Sequence, residues 1–99
     1  VYVTVFRAKG SADHSMQMQY SEWFNRLAPL LPDLDGFISM KQYLADDGEA
    51  CFIVEFRDEV SHRAWSEHPL HLAAKEFGRS FFSSYDIKVC ELRYQRSSG

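Results

Sequence analysis

Ninety-nine residues are enough for one domain and one core, not two. A net charge of -3 provides no basic face to neutralise phosphates, which speaks against a nucleic-acid surface. No apolar run approaches a bilayer-spanning length and no signal peptide is visible, so a cytoplasmic protein without a membrane partner is expected. Aromatic residues make up 15% of the chain, more than a small interior uses, and the excess points to a ligand cavity or a subunit interface.

Val1 to Ala8, V-Y-V-T-V-F-R-A, predicts a strand from its β-branched and aromatic residues. Val1, Val3 and Val5 share one face and Tyr2, Thr4 and Phe6 the other, so both faces of the sheet are apolar. Lys9-Gly10-Ser11 ends it. Ser11 or Asp13 can cap a helix, because a short side-chain oxygen accepts from the free N–H groups of the first turn. Met16, Tyr20, Trp23, Phe24, Leu27 and Leu31 recur at helical spacing, and Pro29 ends the regular helix near Leu27 or Ala28. Pro32 to Gly36 is a turn. Phe37 to Leu44 is a second strand, and Asp46-Asp47-Gly48-Glu49 has hairpin-turn chemistry. Ala50 to Phe56 is a third strand, with Phe52, Val54 and Phe56 on one face.

Asp58 caps a helix running to about Glu67. Pro69 breaks it and restarts another, because proline lacks an N–H and disfavours helical geometry at the residue before it. Leu70, Ala73, Ala74, Phe77 and Phe81 form the next apolar stripe, and Gly78 loosens or ends that helix. Tyr85 to Tyr94 is the last strand: Tyr85, Ile87 and Val89 face one way, Cys90, Leu92 and Tyr94 the other. Cys51 and Cys90 fall in strands without C-x-x-C spacing, which predicts two buried thiols, with a disulfide between neighbouring strands as the alternative.

The order β-α-β-β-α(α)-β, with the second helix broken at Pro69, defines an α+β, ferredoxin-like chain: a four-stranded antiparallel sheet with helices on one face. Residues 1–95 form the domain and 96–99 a frayed tail. The bare sheet face would carry Val, Ile, Phe or Tyr in every strand, a patch too large for a monomer to leave wet, so a homodimer through that face is expected.

The stretch from Trp65 to Tyr85 concentrates the chemistry. It reads W-x-x-H-P-x-H-x-x-A-x-x-x-G-R-x-x-F-x-x-Y, with Trp65, His68-Pro69, His71, Ala74, Gly78-Arg79, Phe82 and Tyr85 in place. With Val89 and the weaker P-x-L-x-G-F at Pro32 to Phe37, it resembles the antibiotic biosynthesis monooxygenase family. The resemblance implies a dimeric α/β barrel with a pocket between sheet and helices. It also implies oxygenation of electron-rich aromatics such as quinols or anthrones, with neither metal nor flavin as cofactor. Relatives that degrade haem use an Asn on the first strand and a His ten residues after the Trp; this chain has no such Asn and has Lys75 there. Aromatic-oxidising members often place an Asn four residues before the Trp and a Tyr six after it, where this chain has Ser61 and His71.

Cofactor-free oxygenation needs a substrate that itself gives an electron to oxygen. The protein must take a phenolic or enolic proton, stabilise the anion and exclude water. A His suits the proton transfer, and a Trp N–H or an Arg suits the oxyanion. Trp65, His68 and His71 are therefore the catalytic candidates, and Phe52, Phe56, Ser61, Arg79 and Tyr85 the substrate-binding ones. Each has a plainer reading. Trp65 and the Phe52-Val54-Phe56 stripe can be core; His68 can cap a helix end by bonding a carbonyl; His71, His62 and His14 can be surface. Arg79 can pair with an acid at the dimer edge, and Tyr85 can hydrogen-bond across the fold. The His68/His71 spacing can bind zinc, but no acidic or Cys ligand supports it, so no metal is expected. The function expected is a cofactor-independent monooxygenase acting on a small aromatic quinol, anthrone or phenol. Its alternatives are a non-catalytic dimeric module for a small ligand, or an isomerase or lyase using a His as base.

Overall fold

The structure is a computed structural model describing residues 1–99. Four strands, β1 (Tyr2–Gly10), β2 (Phe37–Leu44), β3 (Ala50–Phe56) and β4 (Phe82–Glu91), form one sheet. Its order is β2-β3-β1-β4, with every neighbouring pair antiparallel. The helices are α1 (His14–Leu27), α2 (Glu59–Ser66) and α3 (Pro69–Phe81), with a 3-10 segment at Ala28–Asp33. This is the α+β, ferredoxin-like arrangement expected. No helix is long and apolar enough to cross a membrane.

The punctuation residues act as their chemistry dictates. Of the two cap candidates Asp13 caps α1, its carboxylate accepting from Met16 N–H at 3.0 Å, while the Ser11 hydroxyl accepts from Asp13 N–H at 3.0 Å in the turn before the helix. Pro29 ends regular helix after Leu27, but the backbone tightens into 3-10 geometry instead of leaving the helical region. Asp58 caps α2 by accepting from Ser61 N–H at 2.8 Å. Pro69 opens α3, and His68 stands before it as the cap.

Two expectations near the C-terminus need correcting. Gly78 neither loosens nor ends α3; it is buried, and a Cβ there would stand 3.0 Å from the Phe82 ring. α3 therefore runs to Phe81, and β4 starts at once, three residues before Tyr85. Phe82 turns extended with φ -77 and ψ 125 and pairs with Gly10 across a register shift. The strand stops at Glu91, so Tyr94 lies outside it. The cysteines also differ from expectation. Cys51 is half-buried opposite Arg7, whereas Cys90 is exposed opposite Val3 on the other flank of β1. Four positions along β1 separate the two levels, about 13 Å at strand rise. No disulfide spans that gap.

Register and the contacts of Phe24 with Phe52 and of His62 with Tyr2 fix which sheet face the helices cover. Tyr2, Thr4, Phe6, Ala8, Phe52, Val54 and Phe56 point to the helices. The bare face carries Val3, Val5, Cys51, Ile53, Tyr43 and Cys90 among Arg7, Lys41, Glu55, Asp86 and Lys88. It is less apolar than expected, since β4 contributes only Cys90. Part of the exposed apolar surface lies instead on the helix side of β4, where Tyr85, Ile87 and Val89 stand uncovered at the sheet edge. Only seven residues are buried. The core cluster of Leu31, Phe56 and Trp65 sits at the α2 end of the sheet, walled by Leu27, Leu34, Phe37 and Met40.

Candidate functional site

The break at His68-Pro69 folds α3 back over the end of α2. His71 thereby stacks on Trp65, with ring centroids 4.3 Å apart and planes 18° from parallel. Its Nδ1 lies 3.0 Å from the Trp65 carbonyl oxygen. A carbonyl only accepts, so Nδ1 carries the proton and Nε2 holds the lone pair. Nε2 has no protein partner, yet it is not sealed from solvent. Burial is the main cause that pushes His71 down from the ordinary imidazole value to about 4; the Trp65 carbonyl opposes it, and Lys75, His68 and His62 add to it. The imidazole is therefore neutral throughout the physiological range. The Trp65 indole N–H likewise has no protein acceptor and is not sealed off, although the residue is buried in the core.

The other sequence candidates are dispersed. His68 sits 6.0 Å from Trp65 and caps α3, but its Nδ1 accepts from Leu70 N–H at 3.2 Å and does not bond a carbonyl. Ser61 is buried at the start of α2 against Gly36, where a Cβ would come within 2.0 Å of its hydroxyl oxygen. Phe56 is wholly enclosed in the core. Arg79 is exposed and paired with Glu76 at 3.0 Å on its own helix. Tyr85 is exposed on β4 with its ring 6.1 Å from Phe6. Phe52 lines the cavity at the hairpin end, and none of the other candidates lines that cavity or the cleft beside α2.

Sequence reasoning missed His62, which was expected at the surface. Its ring stacks on Tyr2 at 6.1 Å and meets the edge of Phe56 at 6.1 Å. It lines a cleft of about 340 Å³ between α2 and the sheet edge, with Tyr2, Glu59, Arg63, Ser66, Glu67 and Val89. Burial is the main cause lowering its proton affinity. Lys75 was also missed. Its ammonium donates to the Ser66 carbonyl at 2.8 Å and the Ser66 hydroxyl at 3.1 Å, a cation at the C-terminus of α2. The available signal was the stripe Glu59, His62, Arg63, Ser66, whose i, i+3, i+4, i+7 spacing puts four polar groups on one side of α2. The cleft adjoins the stacked pair: Ser66 follows Trp65, and His71 feels the charges of His62 and Lys75.

No family model matches the chain. Among curated proteins, YqjZ of Bacillus subtilis (strain 168), itself uncharacterized, is 32% identical over 80 residues, covering 78% of this chain and 68% of YqjZ. Among solved structures, Rv0793 from Mycobacterium tuberculosis superposes with a TM-score of 0.80 at 14% identity, covering 97% of this chain and 98% of that one. A structure described as an antibiotic biosynthesis monooxygenase gives 0.77 at 6% identity, covering 95% and 100%. SnoaB, a cofactor-independent oxygenase from Streptomyces nogalater, gives 0.74 at 16% identity, covering 95% and 94%. The chain thus has the fold of these structures. The chain belongs to the family that contains YqjZ.

Proposed function

We propose that the protein is a monooxygenase-like oxidoreductase that oxidises a small electron-rich aromatic, a quinol, anthrone or phenol, without a bound cofactor. One observation carries the reading: His71 is a neutral imidazole fixed through Nδ1 on the Trp65 carbonyl, with Nε2 left to accept a proton. In an anthrone, Nε2 takes the acidic ring proton, the carbanion reduces oxygen, one oxygen atom becomes the new ring carbonyl, and the other leaves as water with two substrate hydrogens.

Magnitudes divide the roles. A proton moved from a phenol of ordinary acidity to an imidazole near 4 climbs about six pKa units, or ~8 kcal/mol. A turnover of ~10 per second corresponds to a barrier of about 16 kcal/mol, so the climb fits inside it. The anion still needs help. Lys75 and the Trp65 N–H are the available donors, and an anion beside His71 raises the imidazole's own affinity for the proton. His68 holds the start of α3, and with it His71.

We further propose a homodimer through the bare sheet face. The chain exposes 6970 Å² for 11.5 kDa, whereas a folded monomer of this mass exposes about 5,800 Å². The excess matches what one partner buries in a stable interface, about 800 Å² or more. Light scattering should give twice the chain mass, and a monomer at micromolar concentration would remove the proposal.

Oxygen uptake by metal-stripped protein with reduced quinols and anthrones tests the reaction. Uptake above blank that drops at least tenfold in His71→Ala or Trp65→Phe supports it, and no uptake with any substrate sinks it. The second reading is a non-catalytic ligand-binding module. It is favoured by the fact that Trp65, His68 and His71 line neither the α2 cleft nor the cavity at the hairpin end. Saturable binding without turnover would select it.

A further inference from the structure

The sheet order β2-β3-β1-β4 makes β4 an edge strand. Its register against β1 is regular from Tyr85 to Glu91. One residue past that ladder, the Leu92 N–H donates to the Val1 carbonyl at 2.8 Å. Backbone groups alternate in direction along an antiparallel strand. Cys90, Lys88 and Asp86 therefore bond β1, whereas Val89, Ile87 and Tyr85 point their N–H and C=O groups away from it, off the edge of the sheet.

The same three residues form the uncovered apolar row on the helix side: Tyr85 is 65% exposed, Ile87 54% and Val89 46%. Asp86 and Lys88 alternate with them on the bare side. β4 contains no proline, and a long unpaired edge with an apolar row is a template for another strand. The opposite edge differs. The β2 ladder shifts register between Phe37 and Ser39, an irregularity that bends a strand and blunts it for pairing.

We propose that β4 pairs antiparallel with β4 of a second copy, about a two-fold axis at Ile87. In that register the strand is complementary to itself. Ile87 faces Ile87 and Tyr85 faces Val89, each pair exchanging both its N–H···O bonds. On the other face Asp86 stands opposite Lys88 of the second copy, and Lys88 opposite its Asp86. The two neighbouring registers that match outward groups set Asp86 against Asp86 or Lys88 against Lys88, and like charges directly opposite repel. Charge thus selects the register. The apolar row supplies the contacts, aromatic on β-branched at Tyr85–Val89 and β-branched on β-branched at Ile87.

The axis stands perpendicular to the sheet, so the helices of both copies lie on one side and their bare faces stay free on the other. The contact is separate from the one proposed through the bare face, and it rests on neither that contact nor the oxygenase reading. It also adds to a site. Val89 lines the α2 cleft with Tyr2 and His62. Pairing sets Tyr85 of the second copy beside Val89, so the cleft gains an aromatic rim that one chain alone does not supply.

The test is amide hydrogen exchange of the ¹⁵N-labelled chain, read residue by residue at millimolar and micromolar concentration beside the light-scattering mass. The expected result is a mass above that of one chain, with the Tyr85, Ile87 and Val89 amides exchanging about tenfold or more slower in the concentrated sample. Lys88 faces Val5 across β1, so Lys88→Asp spares that ladder but sets acid against acid between copies; it should remove the protection. Adding Asp86→Lys should restore it. Ile87→Pro deletes an N–H that β1 does not use, and it should fold and lose the protection at Tyr85 and Val89. Slow exchange at Asp86, Lys88 and Cys90 in every variant verifies that β4 still lies on β1. Fast exchange at the three outward amides in a sample above monomer mass would assign the assembly to the bare face and overturn the proposal. A monomer at millimolar concentration, or a double variant no better protected than Lys88→Asp, would overturn it too.

Discussion

At the α2 end the sheet is met by Glu59, His62, Arg63 and Ser66; at the hairpin end it is met by Tyr20, Phe81 and Phe82, with no charge among the lining residues. The same covered face thus ends in two different solvents. One end has an imidazole among charged side chains, and the other has rings, amides, a serine hydroxyl and the Tyr20 phenol. Chemistry that moves protons belongs to the first. Shape and stacking are what the second can offer. The roughly 20 Å between them, from Tyr2 to Ala8 along β1, lets each be altered without the other.

The largest effect expected is at the α2 end. Trp65→Ala removes a core indole packed on Leu31 and Phe56 and should cost about 3–5 kcal/mol in urea denaturation. Phe81→Leu at the far end should cost less, about 1–2 kcal/mol. If the ends are independent, the double variant should be additive within about 0.5 kcal/mol. Coupling well above that figure would break the comparison.

The ends should also answer to opposite ends of the pH scale. His71 titrates near 4 folded and near 6.5 unfolded, so between those values only the unfolded chain binds the proton. Its contribution is complete above pH 6.5 and is lost as pH falls, up to about 3 kcal/mol by pH 4. His71→Phe should flatten that acid slope, leaving the smaller part due to His62. Tyr20 is shifted the other way: burial raises its phenol. The unfolded chain then loses that proton first, and stability falls as pH rises above 10. Tyr20→Phe should reduce the alkaline loss, leaving the part due to Tyr2, whose phenol is also raised, by burial and by Glu59. Equal slopes in wild type and either variant would contradict the assignment of that end.

Gly36→Ala sharpens the role of Ser61. The glycine has φ +84, and a Cβ would clash with the Ser61 hydroxyl. A loss of about 1–3 kcal/mol is expected, and adding Ser61→Gly should return only the steric part, leaving the backbone strain. The smallest effect is at Arg79→Ala, whose exposed pair with Glu76 should leave the melting temperature unchanged.

The fold was legible because each element is bounded by a residue with one local use: Asp13, Pro29, Gly48, Asp58 and Pro69 all act where a chain reader would put them. The start of β4 was not legible. Gly78 and the serines at 83 and 84 look like a loop, and only packing of Phe82 on the Gly78 backbone and pairing with Gly10 make them helix and strand. In the site, Trp65 and His71 were both singled out, but their stacking depends on the angle at His68-Pro69, which no periodicity encodes. His62 and Lys75 were passed over for the same reason. Their neighbours, Tyr2 and Ser66, come from β1 and from the end of α2.

The central claim is that His71 is a neutral, oriented proton acceptor. It is tested most directly by two-bond ¹H–¹⁵N spectra of the histidine rings, followed from pH 7.5 to 3.5. The account predicts one imidazole with its proton on Nδ1, a bare Nε2 at neutral pH, and a midpoint near 4. That signal should vanish in His71→Phe. A His71 midpoint near 6.5, or a proton resident on Nε2, would contradict it.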